Sequence, residues 1–287
     1  MRVVTFNAFA SAYGLVHDWA RSAGHELVLL VTPESVGDRY GSGPTLRDQV
    51  PATQEILATS KLRTVAAPAI EELAPDLVVS VTFPLRIPVE VTRVPKLGAL
   101  NVHPSPLPLG RGPNPQRTIY EGERLLGATA HRIAPEFDAG EILAQRTRPW
   151  RDGVTTEDVL RAWYEMVSEV LAEGAARALA GEQGTPQDEA GATYAGRFTD
   201  EERWLSFAEP ANVVQRKAVA LNLLDPTARV RLPDGDFLAD DVRVSGVATD
   251  ASPGTVLERS GSRVAVATSD GVVELTVHPA GWTSAER

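Results

Sequence analysis

Two stretches of the sequence carry residues that could transfer a proton. Asn101 and His103 alternate with Val102 at the end of an apolar run, and Asp138 follows a second apolar run further along the chain. Residues two apart in an extended strand leave the same face, so the side chains of Asn101 and His103 are expected to converge on one pocket. An amide, an imidazole and a carboxylate at neighbouring strand ends can move a proton and hold a developing oxyanion. Asn and Asp beside Gly and Pro are also ordinary turn residues, so the spacing alone leaves both interpretations open.

The first half of the chain predicts the elements that would position these residues. Residues 2–6, 26–32 and 76–82 are nearly continuous apolar runs, as in parallel strands that are buried on both faces. Residues 13–23 place apolar side chains at helical spacing, and Gly24 supplies the stop of that helix. This alternation predicts an α/β fold, a doubly wound, Rossmann-like domain with a parallel sheet.

The edge of this sheet is where a ligand is expected. Ligands of open α/β sheets bind beyond the carboxyl ends of the strands. Residues 7–11, 83–87, 101–103 and 134–138 should meet there. The first of these loops lacks the glycines of a dinucleotide-binding fingerprint, so NAD is not expected.

The second half of the chain predicts a long helix followed by a small β domain. Residues 155–180 show helical spacing behind a threonine cap, residues 181–196 form a polar linker, and residues 200–221 show a further helical pattern. Short β patterns then predict a small barrel, with strands at residues 229–232, 237–244, 254–259, 263–268 and 272–277. The expected division is a catalytic domain at 1–190 and a C-terminal domain at 191–287.

The composition bounds the class of protein. The chain has 287 residues, 43% of them hydrophobic, which suits an ample core in one or two domains. It contains no cysteine, which excludes disulfides, thiolate ligands and a thiol nucleophile. No apolar run approaches the roughly 20 residues that span a bilayer. A cytoplasmic protein without membrane contact is expected, and the oligomeric state is left open.

The charge balance bears on partners. Lys and Arg number 28 against 38 Asp and Glu, for a net charge of −10. Nucleic-acid binding generally uses a basic patch, and the sequence has no dense one. Arginines distant in sequence can still form a local basic face, so a tRNA partner is disfavoured without being excluded. The histidines show no metal-ligand spacing, and no metal is expected.

Two motifs carry a resemblance to a known family. Residues 101–108, NVHPSPLP, and residues 111–115, RGPNP, resemble the signature loop NxHPSLLPxYRGxxP of the 10-formyltetrahydrofolate-dependent formyltransferases. Residues 137–143, FDAGEIL, are similar to the downstream LDTGxIL segment of that family. The resemblance implies a two-domain enzyme like the methionyl-tRNA formyltransferases, with an OB-like β-barrel at the C-terminus. It also implies 10-formyltetrahydrofolate as the co-substrate and no metal.

The resemblance assigns catalysis to Asn101, His103 and Asp138. When a neutral amine attacks the formamide of the donor, negative charge develops on oxygen and positive charge on nitrogen. His103 would move the amine proton, because an imidazole gains and loses a proton near neutral pH. Asn101 would hold the oxyanion, and Asp138 would orient and stabilise the protonated His103. His131, inside its strand, is expected to be a satisfied core histidine or one that supports the catalytic residues from behind.

Further site residues follow from the same resemblance, in loops that enclose the folate and loops that meet the acceptor amine. The expected folate-binding residues are Phe83, Leu85, Arg86, Ile87, Ser105, Pro135, Glu136 and Phe137. The expected acceptor-binding residues are Phe9, Ala10, Ser11, Gly110, Arg111 and Gly112.

Departures from the family pattern bear on the acceptor. Gly110 stands where the family usually has an aromatic residue before Arg-Gly. In methionyl-tRNA formyltransferases the insertion that corresponds to residues 32–54 is basic and meets the tRNA. Here it holds Arg39 and Arg47 against Glu34, Asp38 and Asp48.

These departures favour formylation of a small amine such as an amino sugar, an amino acid or a natural-product intermediate. Methionyl-tRNA is the alternative acceptor. A hydrolase that releases formate and a non-catalytic folate-binding module are two further alternatives.

Overall fold

The computed structural model describes residues 1–34 and 46–279. They fall into two compact units. The first comprises Met1–Pro115, Gly127–Arg148 and Trp163–Tyr194, and the second comprises Gln116–Leu126, Pro149–Ala162 and Ala195–Arg287. The second unit thus takes in two segments that precede residue 190, and a single boundary at that residue stays a prediction. Residues 35–45 of the polar stretch 32–54, including Asp38 and Arg39, lie outside the described residues.

Helices and strands alternate through the first part of the chain, and strands dominate the end. The α-helices are α1 (Ala10–Ser22), α2 (Leu46–Gln49), α3 (Ala67–Leu73), α4 (Val89–Thr92), α5 (Arg117–Glu121), α6 (Thr156–Leu179) and α7 (Ala211–Leu221). A π-helical turn covers Leu62–Ala66, and 3-10 turns cover Glu189–Gly191 and Glu201–Arg203. The first seven strands are β1 (Arg2–Asn7), β2 (Glu26–Thr32), β3 (Ile56–Ala58), β4 (Leu77–Val81), β5 (Ala99–His103), β6 (Leu125–Arg132) and β7 (Ile142–Pro149).

These seven strands form one sheet in the order β3-β2-β1-β4-β5-β6-β7. The pairs among β1, β2, β3, β4 and β5 are parallel, whereas β6 runs antiparallel to β5. The predicted α/β fold with a Rossmann-like sheet is confirmed, with the correction that the sheet is not wholly parallel. The connection from β5 to β6 contains only the short helix α5, whereas a parallel return normally uses a helix that crosses the sheet.

Continuous apolar runs account for the central strands. Every residue of β4 is buried, as are the last five residues of β1. Helix α1 begins at Ala10, so Ala10 and Ser11 lie in its first turn and not in the loop that the sequence predicts. Two strands escape the prediction because β3 has only three residues and β7 mixes arginines with apolar residues.

A five-stranded antiparallel sheet forms the centre of the second unit. Its strands are β8 (Arg229–Leu232), β9 (Gly235–Ser245), β10 (Val256–Ser260), β11 (Arg263–Ala267) and β12 (Val272–Pro279), in the order β10-β11-β12-β9-β8. They match the predicted strands of the C-terminal domain. Helix α7 buries Val214, Ala218 and Leu221 in a core with residues of this sheet. The helical pattern at 200–221 is realised as a helix only from Ala211 onward.

Helix α6 packs closely against β6, the strand that carries His131. A Cβ at Gly174 would lie 2.6 Å from the Cβ of Ala130, so only glycine allows this approach. The predicted helix at 155–180 agrees with the observed one. Among the described residues, no helix is both long and apolar enough to cross a membrane.

We predict that Gly174→Ala destabilises the protein, although alanine favours helices. The added Cβ would overlap Ala130, and overpacking of this kind costs about 1–3 kcal/mol. The free energy of unfolding, measured by urea titration, should fall by that amount. The matched control is Gly14→Ala in α1, where no described atom lies within 4 Å of the added Cβ. This control should raise stability by about 0.5–1 kcal/mol. Equal effects of the two substitutions would contradict the prediction.

Candidate active site

Strand β5 delivers Asn101 and His103 to the carboxylate of Asp138. The Asn101 Nδ2 donates a hydrogen bond to the Asp138 Oδ1 at 3.1 Å, and the His103 Nδ1 lies 3.8 Å from the Asp138 Oδ2. Val102, between them, is buried on the other face of the strand. The structure therefore brings together the three residues that the sequence singles out.

The proton on His103 is placed by a backbone carbonyl. The Nε2 of His103 lies 2.8 Å from the carbonyl oxygen of Gly110. A carbonyl only accepts hydrogen bonds, so the Nε2 carries the hydrogen in this contact. In the neutral ring the lone pair is then on Nδ1, which faces Asp138. Hence Nδ1 is the nitrogen that can take up a proton, and the imidazolium that forms would face a carboxylate.

Asp138 is held in an unusual conformation. Its φ is 53°, in the left-handed region that residues other than glycine rarely adopt. Its Oδ2 accepts a hydrogen bond of 2.9 Å from the backbone N–H of Gly112. Gly140 follows two residues later, and a Cβ there would lie 1.9 Å from the carbonyl oxygen of Arg132. The Asp-Ala-Gly turn therefore needs glycine at its third position.

The charge state of Asp138 follows from its surroundings. Burial raises the pKa of this carboxyl, but the imidazoles of His103 and His131 and the hydrogen bond from Gly112 lower it by more. The resulting pKa is well below the ordinary aspartate value, so the side chain is a carboxylate at neutral pH.

His131 belongs to the same polar cluster. Its side chain is 2% exposed, its Nδ1 lies 2.8 Å from the carbonyl oxygen of Arg132, and its Nε2 lies 3.6 Å from the Asp138 Oδ1. The Nε2 also lies 3.2 Å from the Asn101 Nδ2. Both N–H bonds of the Asn101 amide are therefore directed at Asp138 and His131. The antiparallel register of β5 and β6, which pairs Asn101 with His131, creates this contact.

Two adjoining cavities open beside the cluster. A small one of about 60 Å³ is lined by Ser80, Phe83, Leu85, Arg86, Ile87, Asn101, His131, Ile133, Ala134, Glu136, Phe137 and Asp138. A wider one of about 490 Å³ is lined by Arg86, Arg111, Pro135, Glu136, Phe137, Ala192, Thr193 and Tyr194. All predicted folate-binding residues except Ser105 line one or both. Ser105 is 1% exposed and lines neither cavity.

The residues expected to meet the acceptor divide into two groups. Phe9, Ala10 and Ser11 cap and begin α1, and they are not among the lining residues of either cavity. Gly110 and Gly112 act through their backbones, which hold His103 and Asp138. Gly112 has a φ of 106°, and a Cβ there would meet the ring of Tyr194 at 2.6 Å.

Arg111 lines the wider cavity, but its guanidinium is already bound. Its Nε and Nη2 donate to the Gln187 Oε1 at 3.1 and 2.8 Å, and its Nη1 and Nη2 donate to the Glu189 carboxylate at 3.0 and 2.8 Å. Four of its five N–H bonds are therefore used. Arg86, by contrast, is exposed and has no ion pair with the described residues.

A segment that the sequence predicts as a linker is attached to this site. Thr185 pairs with Ile142 through backbone hydrogen bonds of 2.8 and 2.9 Å, and the Thr193 Oγ1 accepts from the backbone N–H of Gly110 at 2.8 Å. The segment is exposed and polar, which is why its composition resembles a linker. Sequence reasoning missed its contacts because they join residues that are far apart in the chain.

Comparison with known proteins gives the family. The model of the formyl transferase family matches residues 1–174, and the model of the formyl transferase C-terminal domain matches residues 197–281. The chain belongs to the formyl transferase family. The predicted enzyme class, a 10-formyltetrahydrofolate-dependent formyltransferase, is confirmed by these matches.

Two curated relatives of this formyltransferase are named methionyl-tRNA formyltransferase. The one from Enterococcus faecalis is 30% identical over 262 residues, which cover 88% of this chain and 82% of the relative. The one from Roseiflexus castenholzii is 35% identical over 237 residues, which cover 79% of this chain and 73% of the relative.

Solved structures share the fold of this formyltransferase. HypX from Aquifex aeolicus, in complex with tetrahydrofolic acid, superposes with a TM-score of 0.74 at 24% identity over 96% of this chain. The chain spans 43% of the length of HypX. An N-formyltransferase from Helicobacter canadensis, in complex with folinic acid and dTDP-3-aminofucose, gives a TM-score of 0.68 at 12% identity and covers 96% of this chain and 99% of that one.

The described residues of the formyltransferase contain no group of three or more His, Cys, Asp and Glu side chains placed to hold a metal ion. The polar cluster offers acid–base groups instead. His103 can accept a proton at Nδ1, Asp138 can stabilise the resulting charge, and Asn101 is an uncharged donor.

We predict that Asp138→Asn lowers the free energy of unfolding of the formyltransferase more at neutral pH than in acid. The lowered pKa in the folded state means that the carboxylate contributes stability above the unfolded aspartate pKa of about 3.9 and loses this contribution as the pH falls. The difference in unfolding free energy between the wild type and Asp138→Asn should therefore be present at pH 5 and shrink below about pH 4.

Urea titrations at pH 7, 5, 4 and 3 measure this difference. Asp250→Asn, at an exposed position, removes the same charge and serves as the control. A wild-type minus Asp138→Asn difference that stays constant down to pH 3 would contradict the role of the carboxylate charge.

Proposed function

We propose that the amine attacks the formyl group of 10-formyltetrahydrofolate at the cluster of Asn101, His103 and Asp138. The donor supplies an activated one-carbon unit, and the new C–N bond forms as the bond between the formyl carbon and N10 breaks. The Nδ1 of His103 takes the proton from the attacking amine and returns it to N10, so the protons balance. The fixed tautomer of His103, with its hydrogen donated to Gly110, is the observation that carries this assignment.

Asp138 stabilises the imidazolium in this scheme. Its Oδ2 is 3.8 Å from the His103 Nδ1, and it is also held by the N–H of Gly112. An ion pair shielded from water is stronger than an exposed one, and the Asp138 side chain is only 11% exposed. The carboxylate therefore faces the positive charge that forms on the ring as the amine is deprotonated.

Asn101 is the proposed donor to the developing negative charge on the formyl oxygen. Both of its N–H bonds are directed at Asp138 and His131 in this structure. One of these hydrogen bonds has to open before Asn101 donates to that oxygen. The hydrogen bond to the Asp138 carboxylate is charge-assisted and therefore the stronger of the two, so the contact to His131 is the one that we expect to be exchanged.

The two cavities support a folate site next to the cluster. The small cavity has apolar walls from Phe83, Leu85, Ile87 and Ile133 and reaches Asn101 and Asp138. The wider cavity shares Arg86, Glu136 and Phe137 with it. Its volume of about 490 Å³ lies within the range of small-molecule sites. The apolar walls of the first cavity would face the flat sides of the donor's pterin ring and its polar lining would meet the ring's hydrogen-bonding edge, with the rest of the donor in the second cavity.

For the acceptor we propose methionyl-tRNA. Similarity to enzymes of that name extends over most of the chain at 30–35% identity, and the C-terminal domain model also matches. This is the alternative in the sequence analysis, and the comparisons favour it over the small amine. The predicted cytoplasmic location agrees with such an acceptor and stays a prediction.

A small amine is the second candidate, and the charge distribution favours it. The net charge is −10, and many arginines of the described residues are neutralised by ion pairs, as in Arg111 with Glu189 and Arg148 with Glu165. Binding of tRNA needs unpaired positive charge near the phosphates. An amino sugar or amino acid would need contacts only within the site and no wider positive surface.

The two acceptors are separated by a kinetic comparison. We expect tetrahydrofolate release from 10-formyltetrahydrofolate to be faster with charged initiator tRNA than with any member of a panel of amino-sugar nucleotides and amino acids. Because phosphate contacts release counterions, kcat/KM for tRNA should fall roughly tenfold or more between 50 and 200 mM salt. Turnover of a small amine without turnover of tRNA would establish the second candidate. Formate release without any amine would identify a hydrolase.

The proposed base is tested with His103→Asn. Loss of the proton acceptor should lower kcat by roughly 10²–10⁴ with the acceptor that the wild type uses. His17→Asn, on α1, is the matched control and should leave kcat unchanged. Full activity of His103→Asn would remove His103 from the mechanism.

A further inference from the structure

The segment of residues 185–193, called here the strap, directs the side chain of Gln187 towards the turns that hold the site. Gln187 is partly buried, whereas its neighbours Pro186, Asp188 and Glu189 are exposed. The two ends of the strap are held independently, by the pairing of Thr185 with Ile142 and by hydrogen bonds of Thr193 with Gly110 and Arg111. Gln187 is therefore not needed to attach the strap.

The amide of Gln187 joins two turns. Its Nε2 donates to the carbonyl oxygens of Asp138 at 2.7 Å and Gly140 at 2.8 Å. Its Oε1 accepts from the Arg111 Nε and Nη2 at 3.1 and 2.8 Å. Both donors of the amide are used, and its oxygen accepts two hydrogen bonds.

These are the turns that set the geometry of His103. Arg111 lies between Gly110, whose carbonyl fixes the tautomer of His103, and Gly112, whose N–H binds the Asp138 carboxylate. The second turn, residues 138–140, contains Asp138 itself. The groups that face the two ring nitrogens of His103 are the Gly110 carbonyl and the Asp138 carboxylate. Gln187 thus bonds to the residue that follows Gly110 and to the backbone of Asp138 itself.

The backbone of Asp138 makes such support necessary. Its φ of 53° costs about 1–2 kcal/mol for a residue with a Cβ. A conformation of this kind persists only where the surroundings enforce it. The hydrogen bonds from Gln187 hold the carbonyl of Asp138 and the carbonyl of Gly140, two residues later.

We propose that Gln187 is a positioning residue for formyl transfer, which keeps the Asp138 carboxylate and the Gly110 carbonyl in register with His103. This inference rests on the proposed roles of His103 and Asp138. If Gln187 only tethered the strap, loss of its hydrogen bonds to the Asp138 turn would leave kcat unchanged. The link to Arg111 and the link to the Asp138 turn can be tested separately.

Gln187→Glu separates the two links. A glutamate keeps an acceptor for Arg111, but it has no donor for the carbonyls of Asp138 and Gly140 and places negative charge beside them. Gln187→Ala removes both links. A displacement of about 1 Å at a catalytic group costs roughly 10²-fold in rate, so both variants should lose about that factor in kcat. KM for 10-formyltetrahydrofolate should change by less than about threefold.

The assay is tetrahydrofolate release with the acceptor that supports turnover of the wild type. Gln183→Ala, in the exposed stretch just before the strap, is the matched control and should leave kcat unchanged. Thermal unfolding of each variant checks that it is folded. Wild-type kcat in Gln187→Glu would overturn the positioning role.

A double-substitution cycle tests whether Gln187 acts through Asp138. If it does, Gln187→Ala should cost less than about threefold in the Asp138→Asn background. Equal losses in the wild-type and Asp138→Asn backgrounds would overturn the proposal.

The inference and the function on which it rests fail in different ways. If His103→Asn and Asp138→Asn keep wild-type kcat, the proposed catalytic roles are wrong. If those two variants lose activity while both Gln187 variants keep it, only the positioning role is wrong.

Discussion

A charged carboxylate that is largely removed from water is the constraint on which the rest of the site depends. Desolvation of Asp138 opposes its charge, and only hydrogen-bond donors and imidazoles around it make the ionised form stable. Those groups come from separate elements: Asn101 and His103 from β5, His131 from β6 and the N–H of Gly112 from the loop after β5. The order of the strands and the antiparallel direction of β6 are therefore needed to form this cluster, because they bring these groups to one point.

Close packing around the Asp138 carboxylate explains why glycines surround the cluster. At Gly112 a side chain would meet Tyr194, and at Gly140 a Cβ would overlap the carbonyl oxygen of Arg132. Asp138 supplies the carboxylate of the cluster from a left-handed backbone, which residues other than glycine rarely adopt. The turn thus places Gly140, where only glycine fits, close to Asp138, whose backbone is strained. Local backbone strain is supported by surrounding hydrogen bonds, including those from a segment that is distant in sequence.

The sequence predicts the parts of this site that follow local rules. The alternation of Asn101 and His103 obeys the period of a strand, and the apolar runs mark β1, β2 and β4 correctly. The sequence leaves His131 open between a core histidine and one that supports the catalytic residues, because its contact with Asn101 depends on the register between two strands. Gln187 was hidden for a similar reason: a polar, glycine-rich stretch has the composition of a linker whether or not its side chains bind elsewhere. Arg111 was expected to contact the acceptor, but its pairing with Gln187 and Glu189 depends on that same long-range contact.

The chemistry of the site and the identity of its acceptor rest on different properties of the molecule. Any primary amine needs the same proton acceptor and the same stabilisation of charge, so the cluster around Asp138 does not discriminate among amines. Discrimination depends on surface charge, for which the net value of −10 is an incomplete measure. An arginine that is paired, such as Arg111, contributes little attraction for phosphate, whereas an exposed one without an ion pair to any described residue, such as Arg86 at the cavity, contributes more. The distribution of unpaired arginines, and not their total number, is therefore the physical quantity that decides between a tRNA and a small amine.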